Sequence, residues 1–99
     1  MNTLKWLENW YRSTCSDDPW DNENVISICA LDNPGWHVKI EFSETPLEGK
    51  AFEKYSYDNG EHDWIQCRVF NDTFECVGDP SKLEDILVIF KQWVTDVTV

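Results

Sequence analysis

Glu61-His62-Asp63 is the one place in the chain where carboxylates and an imidazole are adjacent. Such a cluster can move a proton or hold a metal, but either task needs a cleft that separates the pKa values of its members. The Asn-Gly pair of Asp58-Asn59-Gly60-Glu61 is typical of tight hairpin turns, so the cluster is expected at a hairpin tip rather than in a pocket. A second group of carboxylates, Asp17, Asp18, Asp21 and Glu23, surrounds Trp20. Oxygen ligands of this kind suit a hard cation, yet the turn glycine and fixed spacing of a calcium loop are missing. His37 alternates onto the polar side of its run with Lys39 and Glu41, as a solvated surface histidine does. No glycine-rich phosphate loop, G-x-S-x-G elbow or H-E-x-x-H run occurs. These patterns point away from catalysis, and no cofactor or metal is expected. The competing reading is a small hydrolase or metal-binding enzyme built on Glu61, His62 and Asp63, which a deep pocket would favour.

Charge is more informative than motif. The chain carries 19 acidic side chains against 8 basic ones, a formal net charge of -11. Binding to phosphate backbones needs clustered Lys and Arg, which argues against nucleic acid as a direct partner. Acidity can serve solubility alone. An acidic loop with a large aromatic at its centre, however, also suits contact with a basic protein, because interface hot spots favour Trp while surrounding charge steers encounter. Trp20 either tucks back to plug the gap between helix and sheet or stands out as an anchor ringed by carboxylates.

The first residues lack a basic stretch followed by an apolar one, and no run approaches the roughly 18 apolar residues of a membrane span, so a cytoplasmic location without membrane contact is expected. Cys15, Cys29, Cys67 and Cys76 include no C-x-x-C pair, against a zinc site or redox motif. In a cytoplasmic protein they should be reduced and mostly buried.

Leu4, Leu7 and Tyr11, with Trp6 and Trp10 beside them, predict an amphipathic helix over 3–13, capped by Asn2 or Thr3. Residues 16–24 have no period and form a loop. Val25 to Leu31 is apolar on both alternating faces and predicts an interior strand. In Leu31-Asp32-Asn33-Pro34-Gly35-Trp36, Pro34 followed by Gly35 predicts a type II turn with Gly35 at positive φ. Trp36, Val38, Ile40 and Phe42 then alternate as a half-buried antiparallel strand. Pro46 and Gly49 break the pattern, leaving Leu47 as the tether of a surface connection.

Further strands are expected at about 52–57, 63–70 and 73–77, the last two joined by an Asn71-Asp72 turn that places Cys67 opposite Cys76 in a non-hydrogen-bonded pair. Asp79-Pro80 reads as a helix start, and Leu83, Ile86, Leu87, Phe90, Trp93 and Val94 trace the buried face of that helix. Asp96 to Val99 is either a frayed end or a strand fragment. The order predicts a single α+β domain over 1–99, an antiparallel sheet of four to five strands covered on one face by the N-terminal and C-terminal helices.

The chain resembles the immunity proteins of bacterial polymorphic toxin systems, specifically the immunity protein 53 family. The resemblance rests on Leu4-Lys5-Trp6-Leu7 with Trp10-Tyr11, Leu31 to Trp36, Leu47-Glu48-Gly49-Lys50 with Phe52, Asp63-Trp64 with Cys67, and Leu83-Glu84-Asp85-Ile86-Leu87 leading to Phe90 and Trp93. It departs after Cys15, where the family pattern has a Gly and then a Trp followed by Glu-His. Here the run is Ser16-Asp17-Asp18-Pro19-Trp20-Asp21-Asn22, so only Trp20 carries over. The resemblance implies a non-catalytic antitoxin that binds one cognate toxin. The expected contacts are Asp17, Asp18, Trp20, Asp21 and Glu23, with the tip residues Asp58, Glu61, His62 and Asp63 as a second part of the footprint. A nuclease would supply the basic surface such contacts need. A toxin-independent adaptor is the remaining alternative.

Overall fold

The computed structural model describes residues 2–14, 25–32, 34–42, 47 and 49–97. Within them run helix α1 (Thr3–Thr14), strands β1 (Ile26–Leu31), β2 (Gly35–Glu41), β3 (Tyr55–Asp58), β4 (Trp64–Phe70) and β5 (Thr73–Gly78), and helix α2 (Leu83–Val97). The strands form one antiparallel sheet in the order β1-β2-β5-β4-β3, and the terminal helices flank it, giving the expected α+β class. The β1-β2 hairpin and the β3-β4-β5 meander are thus separate units, joined by the β2-β5 ladder.

Alternation decides the core. Val38 and Ile40 of β2, Ile65 and Cys67 of β4, and Phe74 and Cys76 of β5 are buried, while Lys39, Gln66 and Glu75 between them are not. Onto that side α2 lays Ile86, Leu87, Phe90, Trp93 and Val94, the face read from its period. Phe90 is the hub, with ring centroids 5.1 Å from Phe74 and 5.0 Å from Trp10. Trp6 and Trp10 are partly buried and pack against the core. Leu4, expected on the apolar face of this helix, is 54% exposed, because the buried line of α1 runs through Thr3 and Leu7 toward Trp10. Asn2 is the cap that forms, its Oδ1 accepting from the Lys5 amide at 3.1 Å.

Four local expectations are corrected. β1 lies at an edge of the sheet and not in its interior. Apolar residues on both faces report which faces are covered; they carry no information on whether both backbone edges are paired. Gly35 has no positive φ and begins β2 directly, opposite Leu31. Glycine is needed there for close approach, since a Cβ at position 35 would lie 2.5 Å from the Gly78 carbonyl oxygen. Asp79-Pro80 forms a turn before α2, which begins only at Leu83. The third strand begins at Tyr55, because Phe52 turns inward onto Phe74 (5.7 Å) and Trp93 (5.4 Å).

The β4-β5 register is the expected one, and Asn71 and Asp72 adopt the positive φ values of 49° and 56° that a two-residue turn of the hairpin type requires. Cys67 faces Cys76 with Cα atoms 4.1 Å apart, and the two are joined as a disulfide rather than held as the reduced pair expected. The spacing of a non-hydrogen-bonded pair brings the sulfurs together whatever the location of the protein. Cys29, expected to be buried, is free and exposed on the edge strand. Leu47 is fully buried, as a tether should be, and the tail stays helical through Val97.

Candidate partner-binding surface

Of the expected contact residues, Asp17, Asp18, Trp20, Asp21 and Glu23 lie outside the described residues. The tip residues are described, and they divide into two kinds. The connection between β3 and β4 is Asn59–Asp63, with the Asn59 amide donating to the Asp63 carbonyl at 2.9 Å. Asp58 Oδ1 accepts from the Gly60 amide at 3.0 Å, closing a local turn in which Gly60 takes φ 126°. Asp63 accepts from the Tyr57 hydroxyl (3.2 Å) and the Asn59 amide group (3.3 Å), and pairs with Lys82 Nζ at 2.9 Å. Asp58 and Asp63 are thereby committed to shaping the loop. Glu61 and His62 are exposed and make no side-chain hydrogen bond or ion pair with any described residue.

Lys82 couples the tip to the start of α2. Its ammonium also lies 3.3 Å from Asp79 Oδ2, and Asp79 is 1% exposed. A buried carboxylate must be hydrogen-bonded, and this one is. It accepts from the Trp64 amide (2.9 Å), the Ser81 amide (2.8 Å) and the Ser81 hydroxyl (2.6 Å). Burial opposes ionisation of Asp79, but the Ser81 and Trp64 donors and Lys82 outweigh it and hold the carboxyl well below the usual range. The hydrogen bond to Asp63 and the pairing with Asp79 outweigh desolvation at Lys82 and raise it above the usual lysine value. Asp63 is lowered in turn, chiefly by Lys82 and Asn59. The Asp63-Lys82-Asp79 chain is therefore a charged staple between loop and helix.

A different cluster occupies the face of the sheet turned away from the helices. Glu75 Oε1 accepts from Arg68 Nη2 (2.6 Å) and Nε (3.0 Å), and Glu75 Oε2 lies 3.0 Å from His37 Nε2. Arg68 also sits 4.6 Å over the Phe70 ring. Arg68, and then His37, hold the Glu75 carboxyl below its ordinary value. His37 is thus a half-buried member of a cross-strand network, not the solvated residue expected from its own strand. The pairing was invisible from sequence because β2 meets β5, a strand more than thirty residues later.

A hollow of about 310 Å³ opens beside this cluster, lined also by Lys54, Gln66 and Val77. Its lining offers no hydroxyl side chain, and the Cys67 sulfur is bound in the disulfide on the other face of the sheet. Among the described residues no His, Cys, Asp and Glu group has metal-binding geometry. Glu61, His62 and Asp63 do not converge: none of the three hydrogen-bonds another through its side chain. No helix of the described residues is long and apolar enough to cross a membrane.

Two helices against one antiparallel sheet, with the buried carboxylate of Asp79 spent on an internal staple, make a small α+β protein. The chain belongs to the immunity protein 53 family, whose model matches residues 4–95 of the 99. No curated protein and no solved structure matches it.

Proposed function

We propose that this chain acts as a single domain that binds one cognate bacterial toxin and neutralises it without catalysis of its own, in the cytoplasm. The family match over 4–95 carries this reading. The net charge of -11 supports a toxin with a basic surface, as a nuclease has, since a surface that binds phosphates also attracts carboxylates. The footprint proposed is the acidic run Asp17, Asp18, Trp20, Asp21 and Glu23 together with Asp58, Glu61, His62 and Asp63. Within the tip, Glu61 and His62 are the groups available to a partner, and Asp58 and Asp63 present them.

Co-expression with the toxin-like gene encoded beside this one tests the reading. Survival that depends on this chain, with a complex recovered by pull-down, is the expected result; absence of any complex with a neighbouring product would overturn it. Trp20→Ala combined with Asp17→Lys and Asp18→Lys should weaken that complex by about tenfold or more with the fold unchanged.

A further inference from the structure

We propose that the outer edge of β1 is the toxin-docking strand, taking up an extended basic segment of the toxin as an additional strand of the sheet. This rests on the immunity reading and specifies its mode of binding.

The backbone geometry fixes which groups are on offer. The Glu41 amide donates to the Val25 carbonyl at 3.0 Å, so residues 25 and 41 form a hydrogen-bonded pair. Hydrogen-bonded pairs alternate along an antiparallel ladder, and the β1-β2 register therefore turns the backbone groups of Ser27, Cys29 and Leu31 toward β2. Those of Ile26, Ile28 and Ala30 face outward, where no described residue pairs with them. The centre of the strand is exposed, Ile28 at 38% with Cys29 and Ala30 beside it, while Ile26, Ser27 and Leu31 are half-buried.

Exposed sheet edges are normally blunted by charge, proline or shortness. β1 has none of these; its six residues, Ile-Ser-Ile-Cys-Ala-Leu, are uncharged. An unprotected edge of this length is a template for strand addition, in which main-chain hydrogen bonds supply affinity and alternate side chains supply specificity. An incoming strand would set one row of side chains beside Ile26 and Ile28 at the rim of the helix layer and the other beside Ser27 and Cys29 on the open face.

Charge selects the occupant. In the sequence, Glu23 precedes the strand and Asp32 follows it, within a chain of net charge -11. A segment with apolar residues at its centre and Lys or Arg toward its ends matches this arrangement. A second copy does not. An antiparallel β1-β1 pairing would bring Asp32 of each copy toward the acidic start of the other's strand, between two chains that already repel.

Amide hydrogen exchange, read by NMR on the free chain and on its complex with an inactivated form of the neighbouring toxin, tests the proposal. The amides of Ile26, Ile28 and Ala30 should exchange fast in the free chain and slow by about 100-fold or more in the complex, whereas Ser27, Cys29 and Leu31 are slow in both. Ala30→Pro removes one outward N–H and leaves the β1-β2 ladder intact, and should weaken binding about 30-fold or more without changing the far-UV spectrum. Should Ala30→Pro perturb the fold, Ile28→Lys provides the same reading through edge charge. A toxin complex that forms and protects cells, with exchange at 26, 28 and 30 unchanged, would overturn strand addition and leave immunity standing. No binding by the wild-type chain would remove both. Protection of the same amides by self-association, without toxin, would make a second copy the occupant and overturn the choice of partner.

Discussion

β3 and β1 are both edge strands, but the chain treats them differently. β3 has four residues, and its outward backbone groups belong to Ser56 and Asp58. It carries a charge within the strand itself, at Asp58, and the loop beyond is tied to α2 through Asp63, Lys82 and Asp79. β1 is longer, uncharged and unstapled among the described residues. A small acidic protein that guarded against edge-to-edge association everywhere would have blunted both. Guarding one and leaving the other open is what the strand docking proposed for β1 requires.

Breaking the staple should have the largest effect on stability. Lys82→Met leaves Asp79 buried without its cation, and we expect Tm to fall by about 10 °C or more, with amide exchange accelerating in β3, β4 and the turn before α2 while β1 and β2 change less. Equal acceleration at both ends would mean that the staple holds the whole sheet and not the β3 side alone.

Next is Gly35→Ala at the junction of the β1-β2 hairpin with β5. The added Cβ meets backbone rather than a flexible side chain, the Gly78 oxygen at 2.5 Å, and should cost about 1–3 kcal/mol in urea unfolding. A neutral result would mean the β2-β5 ladder can shift at no cost.

Acid should reveal the asymmetry more gently. Asp63, Glu75 and Asp79 all have folded-state pKa values below their ordinary ones, so the stability they add is complete above the ordinary carboxylate range and is lost as pH falls through the depressed values. Lys82 is raised, so its contribution is complete below the ordinary lysine value and disappears only as pH rises through the higher folded one. Tm should be flat between about pH 5 and pH 10 and decline below about pH 4, with the β3 side opening first. Lys82→Met should flatten the acid decline.

The smallest stability effect belongs to the open edge. Ile28→Lys should change stability by less than about 0.5 kcal/mol, since the side chain is part-exposed and its backbone groups bond nothing in the described structure. A large loss of stability would show that β1 is held by more than its ladder with β2.

Much of this was legible in the sequence. The periods of the two helices, the alternation from Trp36 to Phe42 and the Asn71-Asp72 turn each depend on residues close in the chain, and the elements formed where those patterns placed them. The facing of Cys67 and Cys76 followed from the turn alone, because a two-residue loop fixes register. The family too is carried by local motifs and was readable from them. Misreadings arose where a residue's role depends on a distant partner. Gly35 looks like a turn glycine until Gly78 is beside it. Asp79 looks like a helix cap until the Trp64 amide, from the start of β4, donates to its carboxylate.

Sequence by itself determined the elements, the α+β class and the acidic character, all of which come from spacing, turn chemistry and charge count. Tertiary structure alone decided that β2 pairs with β5, and from that one pairing follow the His37-Glu75 contact, the need for glycine at 35 and the position of β1 at the rim. The physical reason is that side-chain periodicity specifies the faces of a strand, whereas its lateral neighbours are chosen by backbone hydrogen bonding, for which every residue but proline carries the same donor and acceptor.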